Sequence, residues 1–227
     1  MADEFTLEDL GVSPTQSPRD RVGTTVSGCH ITALLGAGAQ GAVFAATSPD
    51  GRPVVVKFMA ADIARKPALR ARFQREWEAL RKIGAHPHVV RVFSVHNDDS
   101  EPHIVMERVD GLPLRGLLQR KGRLDPAEAT RLALGVAKGL SAVHACGLIH
   151  RDVKPDNVMV TPDGLAKIVD FGLAKDVFMS TLTMPGQLLG TAFYMAPEQW
   201  DDTIKEDSRC DLFALGATLY HLLVGNP

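Results

Sequence analysis

Hydrophobic positions change period several times along the chain, and each change marks an element. Ile31 to Leu35, Ala42 to Ala46 and the run from Pro53 to Phe58 are short, apolar and bounded by turn residues, which predicts three strands. Gly36 to Gly41 and Ser48 to Gly51 are the turns between them. Over residues 66–83 the period lengthens. Leu69, Phe73, Trp77 and Leu80 recur at helical spacing and predict a helix with one inner stripe. Alternation returns over Val89 to His96 and over His103 to Met106, predicting two more strands. Asp125, Pro126 and Glu128 then supply an N-cap acid, a proline at N1 and a glutamate at N3. Ala129, Leu132, Val136, Leu140 and Val143 continue that helix, and Gly147 ends it. Val158 to Val160 and Ala166 to Val169 flank a Pro162-Asp163-Gly164 turn and predict a hairpin.

Composition narrows the function classes. The chain is 45% hydrophobic and 23% charged, as ordinary globular proteins are. A formal charge of −2 gives no reason to expect nucleic acid as a partner. Cys29, Cys146 and Cys210 are scattered, with no zinc or disulfide spacing, which fits a reducing, cytoplasmic setting. No apolar run reaches the ~18 residues of a membrane span. The acidic start, MADEFTLEDL, lacks the basic region of a signal peptide. Residues 1–27 are rich in Asp, Glu, Ser, Pro and Thr and are expected to form a mobile extension. His86 and His88 tempt a metal reading, but their spacing fits no ligand set.

The chemistry concentrates between Ile149 and Gly172. The predicted hairpin brings its outer ends together, so Asn157 and Asp170 share one end, beside Asp152. A carboxylate, an amide and a second carboxylate then face one point. Hard oxygen donors of this kind suit Mg²⁺ and phosphate. Lys57 closes an apolar run, a costly place for a cation without a partner. Gly36, Gly38 and Gly41 form a G-x-G-x-x-G pattern. A strand follows it rather than a helix, so it does not fit a dinucleotide-binding turn.

His150-Arg151-Asp152, Asn157 five residues past Asp152, and Asp170-Phe171-Gly172 resemble the catalytic and metal loops of protein kinases. The wording from Gly190 to Gln199 is similar to that of bacterial serine/threonine kinases of the eukaryotic-like type. The resemblance implies an α+β, bilobal fold. Residues 28–107 would form a small antiparallel sheet with one main helix, and 108–227 a mostly helical lobe. It also implies ATP and Mg²⁺ as cofactors and protein Ser/Thr hydroxyls as substrates. Asp152 would be the base, Lys154 would stabilise the γ-phosphate, and Asn157 and Asp170 would hold Mg²⁺. Lys57 would take the α- and β-phosphates and pair with a helix carboxylate. Glu76 borders the inner stripe and Glu78 points away, so Glu76 is the expected partner. Leu35, Gly36, Gly38, Gly41, Val43, Val55, Met106, Asp170 and backbone groups of Glu107 and Val109 would line the nucleotide site. His150 would pack on Phe171. Arg151 would stay an unpaired cation until a phosphate arrived on Ser180, Thr181 or Thr183, by autophosphorylation and through a homodimer if in trans. Thr191 would bond Asp152 and Lys154 once substrate docks. Asp211 would tie the apolar helix over Ser208 to Gly225 to the catalytic loop. The further helices that cover this one in the family, and the arginine that pairs with Glu198, do not appear, so the second lobe reads as incomplete. The competing expectation is a nucleotide-binding or interaction module without turnover.

Overall fold

The computed structural model describes residues 18–38, 41–97, 101–171, 192–200 and 206–227. Its first half is a six-stranded sheet in the order β1-β2-β3-β4-β6-β5. The strands are β1 (Thr25–Val26), β2 (Cys29–Gly38), β3 (Gly41–Thr47), β4 (Pro53–Met59), β5 (Val92–His96) and β6 (His103–Glu107). Every neighbouring pair is antiparallel. β4 sits centrally and is buried on both faces, which explains its unbroken apolar run. Val54, Val56 and Phe58 pack with Ile31, Phe44 and Val105. Val55 and Met59 face the other way, into the core that holds Phe73, Trp77 and Leu80. Strand alternation puts Lys57 on that second face.

Two helices follow β4: the single turn α1 (Ala61–Ala64) and the longer α2 (Pro67–Ile83). α2 lays Phe73, Trp77 and Leu80 inward, as its period requires. The second half contains β7 (Leu112–Pro113), α3 (Leu114–Lys121), α4 (Pro126–Ala145), the hairpin β8 (Val158–Val160) and β9 (Ala166–Ile168), and α5 (Arg209–Val224). Asp125 caps α4 by accepting from the Ala127 N–H at 2.9 Å. Glu128, expected to complete a capping box, instead takes Lys121 at 2.8 Å. Gly139 lets α4 approach the loop before β5. A Cβ there would lie 2.5 Å from the His88 carbonyl oxygen. That loop is bonded to β9 in turn, Val90 N–H to Ile168 O at 2.8 Å and Ile168 N–H to His88 O at 3.0 Å. The strand leading to Asp170 is therefore stitched to α4 and to the first half.

Residues 18–27 depart from the mobile extension expected of 1–27. Pro18–Arg21 forms a 3₁₀ turn and Thr25–Val26 pairs with Cys29–His30. The cause is tertiary. The Arg21 guanidinium lies 4.3 Å over the Phe58 ring and donates to Glu101 at 3.0 Å. Gly23 N–H also bonds Ile31 O at 2.9 Å. Residues 1–17 lie outside the described residues.

α5 is apolar almost all round. Cys210, Ala214, Thr218 and Leu222 are buried, and the helix packs against α4. Leu212, Phe213, Tyr220 and Val224 are exposed on its other side.

Candidate active site

The loop between α4 and β8 is built around one buried acid. Asp211, at the start of α5, is fully buried. Its carboxylate accepts the His150 N–H at 2.8 Å and the Arg151 N–H at 2.7 Å, and lies 2.7 Å from His144 Nε2. Burial pushes this carboxyl up, but the His144 bond, the nearby His150 and the two backbone N–H groups outweigh it and leave it below the usual range. Arg151 has φ of +65°, a left-handed backbone that only firm bonding sustains in a non-glycine residue. The His150 ring is buried against Phe171, with centroids 4.6 Å apart, and Trp77 meets the same Phe171 edge-on. The phenylalanine beside Asp170 is thereby wedged between α2 and the catalytic loop.

Asp152, Lys154 and Asn157 meet in this loop. Asp152 and Asn157 are buried. Asn157 Nδ2 donates to the Asp152 carbonyl and to Asp152 Oδ2, both at 2.8 Å. Lys154 Nζ stands 2.9 Å from the same Oδ2. The amide nitrogen is thus committed to Asp152, which leaves the Asn157 oxygen as the hard donor of this side chain. Val169 N–H bonds the Asn157 carbonyl at 3.1 Å and brings the start of the Asp170 segment alongside. Asp170 is 43% exposed at its side chain, so its carboxylate is open to a cation. An amide oxygen and an accessible carboxylate side by side fit Mg²⁺.

Lys57 and Glu76 are not paired as expected. Lys57 Nζ donates to Asp170 Oδ1. Glu76 Oε1 accepts from Arg72 Nε at 2.9 Å and lies 3.7 Å from Arg151 Nη1. Two arginines nearer to Glu76 outcompete Lys57, whose own charge is met by the more open Asp170. Arg151, expected to be an unpaired cation, is also engaged: its Nε donates to Glu206 Oε2 at 2.7 Å.

The nucleotide-side residues divide. Val55 and Met106 are buried in one core, with Val43 and Val109 packed against it. Val55 is paired with Met106 across β4 and β6, so the two stand side by side. Leu35, on β2, is 53% exposed. A Cβ on Gly36 or Gly38 would meet open space, whereas one on Gly41 would strike the Phe58 carbonyl at 1.9 Å. Gly41 is therefore demanded by β4, at φ of +132°, rather than by a ligand. The Glu107 N–H is spent on the Arg91 carbonyl at 2.8 Å, so this residue can offer a nucleotide only its carbonyl. Glu198, expected to lack a partner, is on the 3₁₀ turn Pro197–Trp200. Gly172, Ser180, Thr181, Thr183, Gly190 and Thr191 lie outside the described residues, as do Ala39 and Gln40 of the glycine loop.

The family model for the protein kinase domain matches residues 29–227. This chain belongs to the protein kinase family. Among relatives of this kinase, the probable serine/threonine-protein kinase PknB of Corynebacterium glutamicum is 40% identical over 205 residues, covering 87% of this chain and 31% of that protein. The probable serine/threonine-protein kinase PkwA of Thermomonospora curvata is 38% identical over 196 residues, covering 86% of this chain and 26% of that protein. The kinase chain thus spans about a third or less of these relatives. The PknI kinase domain of Mycobacterium tuberculosis has a similar structure, with TM-score 0.74 and 30% identity over 91% of this chain and 76% of that one.

Two features of the kinase site escaped sequence reasoning. Lys167 grips the Glu107 carboxylate at 2.6 and 2.8 Å, joining β9 to the end of β6. Glu206 holds Arg151. Neither contact has a local signature, since the partners are 60 and 55 positions apart.

Proposed function

We propose that this kinase chain transfers the γ-phosphate of ATP to Ser or Thr hydroxyls of proteins. One observation carries the reading: the buried Asp152 carboxylate is held between Lys154 and Asn157, with the Lys57–Asp170 pair formed across the same site. Asp152 would orient the attacking hydroxyl and accept its proton as the oxygen–phosphorus bond forms and ADP departs. Lys154, already beside that carboxylate, would offset charge on the transferring group. Asn157 and Asp170 would hold Mg²⁺, which supplies charge neutralisation along the phosphates when bound. Lys57 would leave Asp170 for the α- and β-phosphates, and Glu76 would turn from its arginines to support it. Ser180, Thr181 and Thr183 are the hydroxyls proposed for autophosphorylation, in trans within a homodimer, and the setting is cytoplasmic. Among the described residues no helix is long and apolar enough to cross a membrane.

A second reading, nucleotide binding without turnover, is favoured by Lys57 standing on Asp170. The test is transfer of labelled phosphate from ATP to a protein substrate by the 227-residue chain, with Asp152→Asn as control. Transfer that disappears in the control supports the kinase reading. Nucleotide binding with no transfer above the control rejects it.

A further inference from the structure

Four elements meet beside the catalytic loop, and each contributes one side chain. Arg115 comes from α3, Asp156 from the 3₁₀ turn Pro155–Asn157, Tyr194 from the stretch 192–200 and His221 from α5. Tyr194 and His221 are buried, and the Tyr194 hydroxyl donates to His221 Nδ1. Burial pushes the His221 imidazole down, and the Arg115 charge adds to that push. Burial also raises the Tyr194 phenol to about 12. Both rings are therefore uncharged at neutral pH. Two charges lie within reach of this neutral pair. Arg115 Nε stands 3.3 Å from both Asp156 oxygens, and Nη2 donates to Oδ2 at 3.1 Å. These distances are long for a guanidinium–carboxylate bond, which settles at about 2.7–2.9 Å. The two side chains are 34% and 43% exposed. A loosely made, half-open pair of this kind can exchange partners with a charge arriving from outside.

We propose that Arg115 is a specificity-determining residue: it fills, from within the chain, an anionic subsite on Asp156 that would otherwise take a basic side chain beside the target hydroxyl. The inference rests on the proposed transferase reading and deepens it. Asp156 follows Asp152 and Lys154 on the same loop. A protein segment that sets its hydroxyl at Asp152 therefore passes a flanking residue close to Asp156. Asp156 alone would attract an arginine or lysine of that segment. With Arg115 on it, the attraction is cancelled and an incoming cation meets a like charge. The wild-type chain thus gains nothing from a basic flank. Loss of Arg115 leaves Asp156 open and turns the preference toward basic flanks. Loss of Asp156 leaves Arg115 open and turns it toward acidic ones. A brace between α3 and the catalytic loop with no part in substrate choice predicts something else: its loss would slow every peptide alike.

The experiment uses the full chain as wild type, Arg115→Met and Asp156→Asn. Methionine keeps much of the arginine stem and removes its charge. The substrates are peptides with a single serine, in which one arginine, glutamate or alanine is moved along the flanks. The readout is the ratio of kcat/KM for the charged peptide to that for the alanine peptide at each place. At one place in the series, Arg115→Met is expected to raise the arginine ratio about three- to fivefold over wild type, the range of a partly exposed ion pair. Asp156→Asn raises the glutamate ratio at the same place by a similar factor, and added salt shrinks both gains. Ratios equal to wild type at every place overturn the inference, whatever happens to the absolute rates. A chain that transfers phosphate to no peptide rejects the transferase reading instead. The same ratios are then read as affinities, by fluorescence anisotropy of labelled peptides with the Mg²⁺ complex of AMP-PNP present, and equal affinities overturn the Arg115 role. If Arg115→Met does not fold by circular dichroism, Asp156→Asn decides by its glutamate ratio.

Discussion

The two sides of the site are held by different kinds of bond. On the catalytic-loop side, Asp211 fixes two successive backbone N–H groups, and Asn157 fixes Asp152 through a short, stiff amide. On the α2 side, Lys57, Arg72, Glu76, Arg151 and Glu206 meet only through the ends of long side chains. Backbone bonds to a buried acid allow one arrangement. Long side chains with several partners of opposite charge allow several, separated by small differences in free energy. The first side is therefore set when the chain folds, and the second can be reset afterwards.

Substitutions can break this contrast or sharpen it. The largest effect belongs to Asp152→Asn, expected to lower kcat about 10²–10⁴-fold with little change in melting temperature. A steady-state transfer assay beside a thermal melt checks both halves. Asp211→Ala is next. It leaves the N–H groups of His150 and Arg151 without their acceptor and is expected to cost about 3–5 kcal/mol, read by urea unfolding. Acid should reveal the same residue. The Asp211 carboxyl is depressed in the folded chain, so its stabilisation is complete above the unfolded value of about 3.9 and is lost as pH falls through the lower folded value. The difference in unfolding free energy between wild type and Asp211→Asn should shrink below about pH 4. An unchanged difference there would show that other carboxylates set the acid limit. The smallest effect is expected of Arg21→Ala, about 1 kcal/mol from one cation–π contact and one partly exposed ion pair. It should leave kcat unchanged, because Arg21 packs on the sheet face opposite Lys57.

The catalytic-loop side was also the more legible in the sequence. His150, Asp152, Asn157 and Asp170 lie within one short stretch, and a hairpin with a Pro-Asp-Gly turn forces them together. The Asp211 tie was implied by the resemblance of the helix it opens, and the structure has that carboxylate on the His150 and Arg151 N–H groups. The α2 side was less legible for a physical reason. Helical period places Glu76 beside the buried stripe, and the structure agrees that it borders Phe73 and Leu80. Period does not say which of several cations a carboxylate takes. That depends on tertiary distances of a few ångströms, which favoured Arg72 and Arg151. The strap over 18–27 was missed for the same reason, since Arg21 finds Glu101 80 positions later.

That strap bears on where the domain should be said to start. The family match opens at Cys29, the first residue of β2. A chain cut at that boundary would uncover the Phe58 ring, orphan Glu101 and leave the outer edge of the sheet without its last strand. The family match thus begins just after the segment that covers Phe58 and pairs with Glu101.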